Sequence, residues 1–140
     1  MALEYTRPEV VCSTLLAAGG LSLTLATNMF TGPPKPPSAA IPRNCVFIFG
    51  IQSFQPRPYL GVGTDYRQFR TSLYVRRHAD QFETGQTLAR EIWRTLQRAN
   101  VSAHTGFFGA LMEEADPQYY GMDDEDNHRW SMTCRLLYKG

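Results

Sequence analysis

Apolar and polar positions fall into two alternating runs and one helical run along this chain. Over residues 69–76, Phe69, Thr71, Leu73 and Val75 lie on one side and Arg70, Ser72, Tyr74 and Arg76 on the other. That period of two predicts a half-buried strand. Phe82, Gly85, Ala89, Ile92, Trp93, Leu96 and Ala99 then recur at helical spacing. Asp80 and Glu83 stand at capping-box spacing before this helix, and Asn100 is expected to stop it. Trp130, Met132, Cys134, Leu136 and Tyr138 alternate again and predict a last strand. Cys45-Val46-Phe47-Ile48-Phe49 is a continuous apolar run of strand length, expected near the middle of a sheet. Residues 106–112 predict a further short strand.

The remaining segments fit around these elements. Thr6-Arg7-Pro8-Glu9 reads as a helix start, with Thr6 as cap and Glu9 answering it. Val11, Leu15 and Ala18 mark one face of that helix, and Gly19-Gly20 ends it. Residues 21–30 read as an extended arm. Residues 32–42 contain five prolines, which excludes a helix or central strand and predicts a stiff connector. Residues 52–66 form a long Pro/Gly loop or extended hairpin, and residues 115–127 an acidic loop. Residues 1–140 thus form a single domain of the α+β class. It is a mostly antiparallel four- to five-stranded sheet with two main helices packed on one face.

Composition narrows the function. The net charge of +1 argues against a polyanion partner, but the charge is polarised along the chain. Residues 1–100 carry 11 basic and 6 acidic groups, residues 101–140 carry 3 and 7. Only Lys35 and Lys139 are lysines, and arginine suits fixed bidentate contacts better. The three cysteines, Cys12, Cys45 and Cys134, show no CxxC spacing and read as buried small apolar groups in a reducing compartment. No signal peptide or membrane-spanning run is expected.

Candidate chemistry is sparse. His78, His104 and His128 lack ligand spacing with a cysteine or carboxylate. Asp123-Asp124-Glu125-Asp126 lacks the alternating ligands of a calcium loop. Gly61-Val62-Gly63 has neither a third glycine nor a following helix, and reads as a hairpin turn. No nucleophile–base pair emerges, so neither catalytic residues, metal nor cofactor are expected.

Arg90, Arg94 and Arg98 are spaced i, i+4, i+8, where like charges repel by a few tenths of a kcal/mol per pair. Such a stripe is either a solvated face or a surface that meets an acidic one. The acidic residues Glu113, Glu114, Asp116, Asp123, Asp124, Glu125 and Asp126 of a neighbouring copy are the available partner. Contact of that kind is heterologous and closes into a ring or runs on as a filament. Arg57, Arg67 and Arg70, in and beside the long loop, are further interface candidates.

The order and spacing of four features resemble the tail terminator, or tail-completion, proteins of long-tailed bacteriophages. These features are the N-terminal helix leading to Asn28-Met29-Phe30-Thr31-Gly32-Pro33 and an apolar strand, and the strand ending Leu73-Tyr74-Val75-Arg76-Arg77. They continue with the helix from Phe82-Glu83-Thr84-Gly85 through Ala89 and Ile92 to Leu96, and the acidic Gly121-Met122-Asp123-Asp124 turn before Trp130. The resemblance implies a hexameric ring in the virion neck, capping the head-proximal end of the tail tube. It implies the tube protein and a head-side connector as partners, with DNA passing through the lumen unread. A head–tail connector, stopper or tube subunit is the alternative within this class, and a small nucleic-acid-binding regulator the alternative outside it.

Overall fold

A computed structural model describes residues 7–25, 27–31, 44–51, 57–58 and 65–139. Helix α1 spans Pro8–Ala18 and helix α2 Phe82–Leu96. The strands are β1 (Met29–Thr31), β2 (Cys45–Ile51), β3 (Arg57–Pro58), β4 (Asp65–His78), β5 (Phe107–Met112), β6 (Gln118–Met122) and β7 (Asn127–Lys139). They form one seven-stranded sheet in the order β1-β2-β4-β7-β5, with β3 on β4 and β6 on β7. All pairings are antiparallel except β1 with β2.

The long strands β4 and β7 are the spine, in register from Tyr66 opposite Lys139 to His78 opposite Asn127. Alternation gives each strand one apolar side. Leu73 and Val75 of β4, Trp130, Met132, Cys134 and Leu136 of β7, and Val46 and Ile48 of β2 are all buried. Val11, Cys12 and Leu16 of α1, and Leu88, Ala89, Ile92 and Leu96 of α2, cover that side. The α+β, mostly antiparallel architecture with two helices on one face is the one the alternating pattern predicts. The short strands β1, β3 and β6 enlarge the sheet beyond the expected count.

Several local expectations are corrected. Thr6 lies outside the described residues, and α1 instead begins after Arg7, without a side-chain cap and with Pro8 in its first turn. The buried face of α1 runs through Val11, Cys12 and Leu16, while Ala18 is exposed, because the helix lies with Cys12 against Cys134 of β7. Asp80 does not cap α2: its carboxylate takes the Nδ1 of His78 at 2.6 Å, and Gln81 occupies the cap position. Asn100 does not end α2. The helix stops at Leu96, because Gln97 turns extended and its side chain accepts the Met112 N–H at 2.7 Å. Residues 118–122, expected in a loop, form β6, which is hydrogen-bonded to β7. The connector at 32–42 and most of the 52–66 segment lie outside the described residues.

Candidate assembly surfaces

Helix α2 presents its core side to the sheet, which leaves its polar side to solvent. Arg90 and Arg94 lie on that side. Arg98 does not: it sits beyond the helix end in the left-handed region (φ 58°), with its N–H bonded to the Ala110 carbonyl at 2.8 Å. The stripe therefore has two members on the helix. Each already has a loose ion pair, Arg90 with Asp116 at 3.7 Å and Arg94 with Glu91 at 3.5 Å. Trp93 Nε1 donates to the Glu114 carbonyl at 2.8 Å and ties the segment after β5 against α2. Part of the acidic segment is thus held beside the arginines of its own chain.

The sheet face opposite the helices carries a second arginine group. Register places Arg70 opposite Arg135, and Arg76 opposite Arg129. Like charges directly across a ladder destabilise it unless neutralised. Glu113 does this at one end, accepting from Arg70 Nε at 2.7 Å and Nη2 at 3.1 Å, with Arg135 Nε at 3.8 Å. The two-point contact is the geometry that suits a guanidinium. Glu114 accepts the Thr133 N–H at 2.9 Å. At the other end Arg129 donates to the Tyr120 and Met122 carbonyls at 3.2 and 3.3 Å, and Arg76 lies over the Phe47 ring.

The turn between β6 and β7 uses Asp123 as its brace. One carboxylate oxygen accepts the N–H groups of Glu125 and Asn127, each at 2.9 Å. Burial opposes ionisation of Asp123, but these donors, the Asn127 amide and Arg76 outweigh it and hold the carboxyl below its usual 3.8. Asp124, Glu125 and Asp126 are exposed at the tip. Tyr119, Tyr120 and Met122 are also exposed on β6. Beside them Phe82, Tyr119, His128 and Trp130 form an aromatic cluster with ring centroids 5.1–6.0 Å apart. His128 Nε2 faces the Ala79 carbonyl at 2.9 Å, so it carries a proton. In the neutral ring Nδ1 then accepts the Tyr119 hydroxyl at 2.7 Å.

The expected interface residues are therefore spread over several surfaces. Arg67 and Arg70 lie on β4, and Arg57 on β3, where it pairs with Tyr66 through the backbone. Arg129 and Arg135 are not among the expected interface residues. Each stands alone along the chain, and only the cross-strand register sets Arg129 opposite Arg76 and Arg135 opposite Arg70. Arg77 faces a cleft of about 570 Å³ lined by Gly20, Leu21, Ser22, Glu83, Thr87 and Glu91, among others. Its Nε is buried without a hydrogen-bond partner among the described residues, and burial pushes its pKa down. On the opposite flank of α2, Arg90, Trp93, Arg94, Ala115 and Asp116 line a depression of about 260 Å³. Cys12, Cys45 and Cys134 are buried free thiols. Among the described residues no three His, Cys, Asp or Glu side chains converge as a metal site, and no helix is long and apolar enough to cross a membrane.

No protein-family model and no curated protein matches this chain. Among solved structures, it is similar to a chain of the virion of a native gene transfer agent particle. That likeness has a TM-score of 0.52 at 15% identity, and covers 96% of this chain and 88% of the other. At that identity the two chains share a fold.

Proposed function

We propose that this protein is a structural subunit of a phage-like particle, a ring-forming tail terminator. In this role it caps the head-proximal end of the tail tube, stops its polymerisation and joins it to the head-side connector, with DNA passing through the ring. The observation that carries the reading is the fold likeness to a gene transfer agent virion chain over 96% of this chain. The order of helix, strand, helix and acidic turn that resembles the terminator family points the same way. The sheet-face arginines lend no support to a nucleic-acid-binding regulator, because Glu113 and the carbonyls of β6 engage three of them.

Light scattering with negative-stain imaging of the purified protein tests this. The expected particle is a closed ring of about six chains of 15.9 kDa. Long tubes would assign the chain to the tube instead. A strict monomer that also leaves preformed tail tubes uncapped would overturn the reading.

A further inference from the structure

We infer that the two flanks of α2 are the two halves of a contact between copies, the cleft of Arg77, Glu83 and Glu91 receiving the Arg90–Arg94–Asp116 patch of a second copy. This rests on the assembly reading above and names the contact within it. The first observation is Arg77. Its guanidinium Nε is buried without a hydrogen-bond partner, and Arg77 forms no ion pair, among the described residues. A partly desolvated cation with no carboxylate in ion-pair contact is costly, and that cost falls when one arrives from outside.

The second observation is the pattern of signs. The cleft presents one cation and two carboxylates, Arg77 with Glu83 and Glu91. The depression on the other flank presents the inverse, two cations and one carboxylate, Arg90 and Arg94 with Asp116. Docking one on the other sets Asp116 toward Arg77, and the two arginines toward the two glutamates. The third observation concerns the acidic residues first considered as the partner. Glu113, Glu114 and Asp123 are committed within their own chain. The ion pairs that docking would remake, Arg90–Asp116 and Arg94–Glu91, are long and solvent-exposed, and pairs of that kind contribute little. Thr84 and Thr87 on the cleft wall add no charge to oppose the contact.

Charge reversal with rescue tests this contact by light scattering at fixed protein concentration. Glu83→Arg and Arg94→Glu should each raise the concentration for half-assembly at least tenfold. The two changes combined in one chain should return it to within about threefold of the original. Arg77→Met serves as an independent probe and should weaken assembly without lowering the thermal midpoint of the dissociated chain. If the unaltered protein assembles and Glu83→Arg leaves its size unchanged, this contact is overturned while the ring stands. If the double reversal fails to rescue, the pairing of these flanks is overturned. If the unaltered protein stays monomeric and leaves tail tubes uncapped, both readings fall together.

Discussion

A methyl group at position 85 would sit 2.5 Å from the Trp130 ring and 2.8 Å from Arg77 Cγ. In an exposed helix, replacing glycine by alanine gains about 1 kcal/mol. Here Trp130 is fully buried and wedged against Phe82, Tyr119 and His128, so it has little room to give. Overpacking costs about 1–3 kcal/mol, and a 2.5 Å approach to a buried ring sets it toward the upper end, above the propensity gain. Gly85→Ala is therefore expected to lower the thermal midpoint by roughly 3–8 °C. Adding Trp130→Phe removes the ring atoms that clash, so the double variant should lose less than the sum of the single losses. Additive losses would show that the clash is relieved elsewhere. The sequence pattern places Gly85 on the buried face of α2, but only the packing shows why a larger residue is excluded.

Among the elements, β4, α2 and β7 were legible because each holds one period over many residues, with one face buried throughout. The β6 strand was not. Its residues Gln118-Tyr119-Tyr120-Gly121-Met122 are exposed or half-exposed, and a register shift between Tyr119 and Gly121 breaks the alternation. The end of α2 was misplaced for a related reason: it depends on Gln97 reaching Met112, a contact far away in sequence. The acidic groups were legible as a cluster but not as individuals. Glu113 finds Arg70 across 43 residues, while Asp123 closes its own turn. The hairpin makes Asp123 testable. Its carboxyl is held below 3.8 in the fold, so its stabilisation is complete above that value and is lost as pH falls through the lower folded value. The amide protons of Glu125 and Asn127 should shift together with a midpoint below 3.8, as followed by NMR. Asp123→Asn should abolish that transition. A midpoint at or above 3.8 would show that the turn donors do not hold the carboxylate in solution.

Taken as a whole molecule, stability is graded outward from the β4–β7 ladder. Both strands are paired on their two edges, β4 to β2 and β7, and β7 to β4, β5 and β6. Their inward side chains Leu73, Val75, Met132, Cys134 and Leu136 are all fully buried, so exposing them requires unfolding the core. Helix α1 is held differently. It has 11 residues, no side-chain cap, and only Val11, Cys12, Ser13 and Leu16 buried. Helices this short are marginal by themselves, so α1 persists through that one contact strip. Local opening costs less where fewer buried contacts are lost. Amide exchange read by mass spectrometry should therefore be slowest in β4 and β7, and should reach α1 and β1 first at a lower opening cost. Assembly adds a second expectation, because the contact inferred above covers the flanks of α2 and the 20–22 turn. Raising protein concentration should slow exchange in the 20–22 turn and across the outer side of α2, and leave the centre of β4 unchanged. Protection that instead appears first along β6 would move the contact between copies to the exposed Tyr119–Tyr120–Met122 edge.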